Sequence, residues 1–502
     1  MLSNIRTISL NGLDGYIINV QVDVSSGMPT WEVVGLAGAC IKESKERIRI
    51  AIKNSGYKLN SRKIVINLAP ANIRKEGSFL DLPISIGLLM SAGIIKKLNL
   101  SDYILIGELS LNGNLNSVKG VLPMCIEAQK LGIKNIILPK GNLEEANMVD
   151  GIHAYGAEKL EDVVNFFNYG ELLCENVKNK NRNLFKFNID FSDVRGQENA
   201  KRALEIACSG WHNSLMIGSP GVGKTMLAKR IPTILPELSN DEIMEVTKVH
   251  SLAGKLSKNN PLIINRPFVS PHHTISLPSF IGGGRIPVPG EISLAHLGVL
   301  FLDEFPEFDR RILEVLREPL EEKKIVINRV NSKVEYPCDF MLVAAMNPCP
   351  CGYWESNVKK CKCTNNEIVK YRNKISGPLL DRIDIQIEVP HIEYKKINDN
   401  CLEKSEIIRN RVNKARKIQR LRYKDEGIFF NSQLSMEQIK KYCNIDQNSE
   451  DFLERAYQKF NLSLRSYSKI LKVARTIADL DESVDIKLKH VIEAVKLNTA
   501  LK

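Results

Sequence analysis

The chain has 502 residues, 43% of them hydrophobic and 25% charged, and a formal net charge of +12; the length suggests about three domains, and the balance is that of a soluble globular protein. The uncharged, mostly apolar stretch Leu82 to Ile95 is shorter than the roughly 18 residues a membrane span needs, and Met1–Thr7 lacks the apolar core of a signal peptide, so a cytoplasmic location without a membrane partner is expected. The positive charge permits an anionic partner such as nucleic acid, although Lys, Asn and Ile rise together here, as AT-rich codons would also produce.

Residues 1–172 read as one α/β domain. Strand patterns fall at Tyr16–Val24, Trp31–Val34, Ile64–Leu68, Tyr103–Leu109 and Asn135–Leu138. Helical patterns fall at Ile41–Asn54, Leu82–Ser91, Pro123–Leu131 and Leu160–Asn168. A polar stretch rich in Asn and Lys, 173–190, reads as a linker. From 191 to 395 strand and helix signals alternate, as a parallel α/β sheet requires. Residues 396–502 read as helical, with segments at 405–422, 436–442, 450–460, 466–478 and 488–498.

The second domain carries the strongest motif. Gly218-Ser219-Pro220-Gly221-Val222-Gly223-Lys224-Thr225 fits the phosphate-loop pattern without a mismatch. Backbone N–H groups of such a loop wrap nucleotide phosphates, the Lys reaches the outer phosphates, and the Thr hydroxyl holds Mg²⁺. Its context is also right: Ser214–Ile217 reads as a buried strand before it and Met226–Ile231 as the start of a helix after it. Gly298–Leu302 is an apolar run that ends in Asp303 and Glu304. A central parallel strand there would bring both carboxylates to the edge where ligands of open α/β sheets bind. Asp303 would hold Mg²⁺ through water and Glu304 would polarise the attacking water. The bland rival is a strand that happens to end in surface acids.

Between Thr225 and Asp303 the chain is long for one crossover. It includes Gly282-Gly-Gly284, Arg285 and a Pro-rich run, which reads as an insertion at about 250–292, and long loops of this kind are usually functional. His272 and His273 are adjacent, cannot both face one metal from a regular element, and read as structural. Four of the eleven cysteines crowd into Cys349-Pro-Cys351 and Cys361-Lys-Cys363. Four thiolates close a structural tetrahedral Zn²⁺ site; free thiols or a redox switch are the alternatives. The helix at 405–422 carries Arg409, Arg411, Lys414, Arg416, Lys417, Arg420 and Arg422, which suits either phosphate binding or a solvated face paired with Glu403 and Glu406.

Taken together these segments resemble the magnesium-chelatase-like AAA+ ATPases of the YifB/ComM family. The resemblance rests on Phe191-Ser-Asp-Val-Arg-Gly-Gln-Glu198, the phosphate loop, Ser270-Pro-His-His-Thr274 and Pro289–His296. It also rests on Val299–Phe305, Asn347-Pro-Cys-Pro-Cys-Gly352, Gly377-Pro-Leu-Leu-Asp-Arg-Ile-Asp384 and Leu464–Asp479, so it runs along nearly the whole chain. It implies a non-proteolytic α+β domain like that of ribosomal protein S5 and the Lon protease end. It implies a central parallel-sheet AAA+ module with an insertion in its second helix and a four-Cys segment at 349–363, closed by a helical lid. Such modules work as homo-oligomeric, hexameric rings with ATP and Mg²⁺ between subunits, and ComM-type members are DNA helicases that drive branch migration during recombination of incoming DNA in natural transformation. Carried onto this chain, Lys224 and Thr225 match the phosphate lysine and the Mg²⁺ hydroxyl, and Asp303 and Glu304 match the Walker B pair. Asn347 matches the water-positioning residue, Arg382 the finger given to a neighbour's ATP, Arg465 the lid arginine, and Gln197 belongs to the nucleotide pocket. A DNA partner, single-stranded or branched, is implied in the same way, and the glycine loop with Arg285 is its candidate grip.

Two other functions compete. One is an ATPase that remodels protein or works in a metal-chelatase-like complex. The other is a Lon-like peptidase, but Ser78 and Lys119 do not fall where its Ser–Lys dyad belongs; Asp81 and Leu122 lie nearer those places.

Overall fold

The computed structural model describes residues 2–59, 62–96, 99–171, 187–256, 262–284, 287–329, 332–355, 359–391 and 403–499. Most of the expected linker 173–190, Arg285, and the start of the helical region at 396–402 lie outside the described residues.

The first domain is built on a seven-stranded mixed sheet. Its opening hairpin pairs β1 (Leu2–Asn11) with β2 (Asp14–Ser25) from Leu2↔Asp23 to Asn11↔Asp14. The two-residue turn places Gly12 at φ 66°, where a tight hairpin wants a glycine. The remaining strands are β3 (Trp31–Val34), β4 (Lys63–Ala69), β5 (Tyr103–Leu105), β6 (Asn135–Pro139) and β7 (His153–Ala157). They run in the order β3-β4-β2-β1-β5-β6-β7. Helices α1 (Ala39–Asn54) and α2 (Asp81–Ser91) share one apolar cluster with β2 and β4. Helix α3 (Val121–Lys130) packs on the other cluster, with Ile8, Ile104 and Ile136. Every residue of α2 is buried, which explains why its sequence is apolar on all sides. The helix α4 (Leu160–Tyr169) completes the domain.

Two strands are absent from the sequence reading. In β1 the buried positions include Thr7 and Ser9, so its inward face does not look apolar. In β7 the sequence His-Ala-Tyr-Gly-Ala offers small residues rather than β-branched ones. The run expected as one strand from Tyr103 to Leu109 divides, and Glu108–Leu109 pairs instead with Leu115–Asn116.

The second domain holds five parallel strands: β8 (Ser214–Ile217), β9 (Phe268–Val269), β10 (Val299–Leu302), β11 (Met341–Met346) and β12 (Ile385–Glu388). Their order is β9-β10-β11-β8-β12, all parallel. Every residue of β8, β10 and β11 is buried, as central strands covered on both faces require. Helix α5 (Glu198–Gly210) precedes β8, α6 (Lys224–Ile234) follows it, and α7 (Asn240–Leu252) starts at a Ser239–Glu242 capping box. The stretch expected as an insertion is not wholly outside the sheet, because β9 lies within it. Its other elements are the helix Leu277–Ile281 and a ribbon pairing Gly282–Gly283 with Val288–Pro289.

The C-terminal helices α8 (Ser405–Arg422), α9 (Met436–Tyr442), α10 (Gln447–Lys459), α11 (Leu464–Leu480) and α12 (Leu488–Asn498) share one apolar core with α5, α6 and the sheet. At its centre Trp211 stacks on Phe430 with ring centroids 5.3 Å apart. The buried Arg416 lies over both rings, at 5.2 and 4.0 Å, and donates to the Cys208 carbonyl. Arg411 pairs with Glu205 and Glu403, Lys414 with Glu482, and Arg422 with Asp479. Most of the basic helix therefore holds the chain together rather than forming a free cationic face.

The first domain leans on the second. Helix α7 lies against α3, Met244 joins the apolar cluster of α3, and Ser251 donates to the buried Glu145 carboxylate. Burial pushes the Glu145 carboxyl up, against the opposing hydrogen bonds from Ser251, Leu122 and Asn142.

Candidate nucleotide site

The phosphate loop joins β8 to α6 at the C-terminal edge of the sheet, the location favoured for ligands of open α/β sheets. Gly221 and Gly223 have φ of 80° and 97°, conformations a side chain would strain. Gly218 is constrained differently: a Cβ there would lie 2.4 Å from the Val389 carbonyl oxygen. Lys224 opens α6 and is nearly buried. Its Nζ donates to the carbonyls of Gly218 and Ser219 and, at 3.1 Å, to Asn347 Oδ1. Burial pushes its ammonium down to about 8, against the opposing pull of Asp303 and Glu304.

Beside it, Thr225 Oγ1 donates to Asp303 Oδ2 at 2.6 Å. A hydroxyl and a carboxylate oxygen converging this closely are hard oxygen donors, the type Mg²⁺ takes together with phosphates. Asp303 Oδ1 accepts the Glu304 N–H at 2.9 Å, and Glu304 has φ 51°, an unusual left-handed conformation for a non-glycine residue. Asn347 follows directly after β11, the neighbour of β8. The structure thus brings together Lys224, Thr225, Asp303, Glu304 and Asn347.

Gln197 packs under the loop. Its amide donates to the Pro390 carbonyl at 2.6 Å and to that of Val222 at 3.4 Å, and its Oε1 is buried without a hydrogen-bond partner among the described residues. Arg382 and Arg465 make no hydrogen bond or ion pair with the phosphate loop among the described residues. Arg382 pairs with Glu321 and donates to the Pro378 carbonyl. The exposed Arg465 reaches Asp381 at 3.5 Å.

Two residues of the site were not foreseen. His273, expected to be structural, places Nδ1 3.2 Å from Glu304 Oε2. A signal was present: the Ser-Pro-His-His-Thr run leaves β9, which is parallel to β10, so it ends on the same edge as Glu304. The buried Tyr371 lies beside the Asn347 backbone; burial pushes its hydroxyl up and the Asn347 N–H opposes that rise, and nothing in its local sequence marks that position.

The four cysteines also meet. Cys349, Cys351 and Cys361 place Sγ atoms 3.4 to 3.7 Å apart, and all four Sγ atoms lie within 4.8 Å of one another. Tetrahedral Zn–S bonds of 2.3 Å imply S···S separations of about 3.8 Å, so the donor set fits that ion. The backbone N–H groups of Lys362 and Tyr353 hold the Cys351 thiol down at about 6.

Family models agree with this architecture. "Subunit ChlI of Mg-chelatase" matches residues 20–142, "Magnesium chelatase, subunit ChlI" residues 190–397, and "Magnesium chelatase, subunit ChlI C-terminal" residues 402–498. The chain is 41% identical over 491 residues to Competence protein ComM of Haemophilus influenzae, covering 96% of this chain and 95% of that one. It is 42% identical over 496 residues to the uncharacterized protein YifB of Escherichia coli, covering 98% and 96%. Lon protease 2 of Bacillus subtilis is 30% identical over 184 residues, 32% of this chain and 33% of that one. No helix among the described residues is long and apolar enough to cross a membrane. With a phosphate loop and paired carboxylates on one parallel sheet, and relatives matched almost end to end, the chain belongs to the YifB/ComM family of magnesium-chelatase-like AAA+ proteins.

Proposed function

We propose that this protein is an ATP-hydrolysing DNA motor, assembled as a homo-oligomeric, hexameric ring, that promotes branch migration in the recombination of incoming DNA. The observation that carries the ATPase part is the convergence of Lys224, Thr225, Asp303, Glu304 and Asn347 at one sheet edge. Lys224 and the loop amides take the phosphates, Thr225 and Asp303 hold Mg²⁺, Glu304 polarises the attacking water and Asn347 orients it. Gln197 borders the nucleotide from beneath the loop. Arg382 serves a neighbour's ATP and Arg465 reads nucleotide from the lid. A structural Zn²⁺ occupies the four thiols. The DNA part draws on the name of the Haemophilus relative, a competence protein, and on the net charge of +12.

A second reading is an ATPase that remodels protein or a metal-chelatase-like complex, favoured by the magnesium-chelatase descriptions of the matching family models. The peptidase reading finds no support at Ser78, whose hydroxyl pairs with Glu108, or at Lys119, whose exposed side chain lies over Gly254. The test is ATP hydrolysis with and without single-stranded or branched DNA, together with migration of a labelled four-way junction. DNA stimulation is expected, with strand movement abolished in Glu304→Gln, whose hydrolysis falls about 10²–10⁴-fold. Hydrolysis indifferent to DNA, or a junction moved equally by Glu304→Gln, would sink the motor.

A further inference from the structure

The four-cysteine segment touches the nucleotide site at three places. First, it begins two residues after Asn347, which accepts from Lys224. Second, Gly352, at φ 82°, lies flat on the phosphate loop: a Cβ there would be 2.5 Å from Pro220 Cδ, 2.8 Å from Pro220 Cγ and 3.9 Å from Asn347 Cγ. Third, the helix Asn365–Arg372 starts two residues after Cys363, behind a Thr364–Glu367 capping box, and its buried Tyr371 hydroxyl lies beside the Asn347 backbone N–H. Asn347 is thus bracketed by the two ends of the segment, and its middle is pressed on Pro220.

The segment cannot hold this position by its own fold. Its described residues between Asn347 and Thr364 form only turns and irregular chain. Apart from Cys349, which is fully buried, they supply little core. Tyr353 is met by Lys359 of the same segment at 5.1 Å, and Trp354 is engaged from outside by Arg372 at 4.4 Å. The Sγ separations of 3.4 to 3.7 Å are far beyond the roughly 2.05 Å of a disulfide and close to those of a tetrathiolate metal site. The Cys363 N–H points to the Cys361 sulfur at 3.4 Å, an outer contact of the kind that orients metal ligands.

We propose that Zn²⁺ bound by Cys349, Cys351, Cys361 and Cys363 is the clamp that seats the phosphate loop and Asn347, so that nucleotide affinity depends on zinc occupancy through the Gly352–Pro220 contact. This rests on the reading of Lys224 and Asn347 as nucleotide residues. Four thiolates leave no open coordination position, so the ion supplies shape rather than chemistry. Gly352 transmits that shape, since only a residue without Cβ lies this close to Pro220 in a left-handed conformation.

The experiment measures zinc per chain by elemental analysis and the Kd of a fluorescent ATP analogue, with no DNA present. Wild type is expected to carry about one zinc. Cys361→Ser should lose it and bind nucleotide about tenfold or more weakly. Gly352→Ala should keep the zinc, weaken nucleotide to a similar degree, and show wild-type far-ultraviolet circular dichroism. If Cys361→Ser does not fold, zinc is stripped from folded wild type with a chelator and restored by adding Zn²⁺ alone, with affinity expected to follow. A wild-type protein without zinc overturns the metal site. Unchanged affinity in both Gly352→Ala and the zinc-free protein overturns the clamp. Neither readout involves DNA, so failure of the motor reading leaves both interpretable. A wild type that binds no nucleotide would refute the nucleotide site itself.

Discussion

On the proposed role of Lys224 as the phosphate lysine, nucleotide binding should have a pH dependence whose sign and size follow from the burial of that residue. In the free protein its ammonium is held at about 8, mainly by desolvation, against the pull of Asp303 and Glu304. A bound triphosphate replaces the lost hydration with negative charge and returns the pKa toward its usual value near 10.4. Between those two values binding takes up a proton. Affinity should therefore be flat below pH 8 and fall above it. At pH 9 about one free molecule in ten still carries the charged lysine, which raises the apparent Kd about tenfold, or about 1.4 kcal/mol. The nucleotide does not supply this trend, since a phosphate whose second pKa is near 6 is almost fully ionised by pH 8. The assay is titration of a fluorescent ATP analogue from pH 7 to 9.5. Lys224→Arg is the control, because a guanidinium does not titrate in this range; its affinity is expected to be lower but level. A wild-type Kd that stays level to pH 9.5, or an equal rise in Lys224→Arg, would refute the reasoning.

Two further outcomes concern residues outside the phosphate loop. His273→Ala removes the contact to Glu304 and none to Lys224, so kcat should fall severalfold while ATP affinity holds, with Asn in its place restoring part of the rate; an unchanged kcat would make the histidine structural after all. Arg382→Ala should bind nucleotide as wild type yet lose about 10³-fold or more in hydrolysis. Mixing it with Lys224→Ala should restore activity, since each variant lacks what the other supplies across a shared interface; no recovery on mixing would place the arginine's role within its own chain.

The elements that fix the site were legible because their physics is local. A strand buried on both faces must be an unbroken apolar run, which exposed β8 and β10. A loop that wraps phosphates needs glycines at set spacing, which exposed residues 218–225. The parts that escaped depend on what the chain meets after folding. The inward face of β1 includes Thr7 and Ser9, whose burial no alternation of apolar residues announces. His273 acts by lying across a parallel strand pair from Glu304, a relation set by sheet order rather than by neighbours in sequence. The helix 405–422 was legible in part: the pairing with Glu403 is made by Arg411, but sequence did not show that Arg416 is buried over the stacked rings of Trp211 and Phe430, or that Lys414 and Arg422 meet Glu482 and Asp479 of the same chain.

The surroundings of Arg382 and Arg465 add a mechanical element to the ring proposal. The turn that carries Arg382 is held on the sheet side by Asn213, which donates from its side chain to the Arg382 carbonyl at 3.0 Å and accepts the Asp384 N–H at 2.9 Å. From the lid, Lys469 donates to the carbonyls of Ile383 at 2.9 Å and Leu380 at 3.3 Å. Lys469 and Arg465 stand one helical turn apart on α11 and so share a face, and Arg465 reaches Asp381 in the same turn. His212 closes the arrangement, with Nδ1 at 3.1 Å from Asp384 and Nε2 at 2.8 Å from Thr476 of α11. Hydrogen bonds from a charged donor contribute about 1.5–3 kcal/mol each, several times thermal energy, so the two from Lys469 are enough to make α11 and the turn move as one body. Under the proposed role of Arg465, a lid displaced on meeting a phosphate would carry the peptide of Arg382 with it. In a ring, nucleotide read in one subunit would thereby change the charge presented to the ATP of the next.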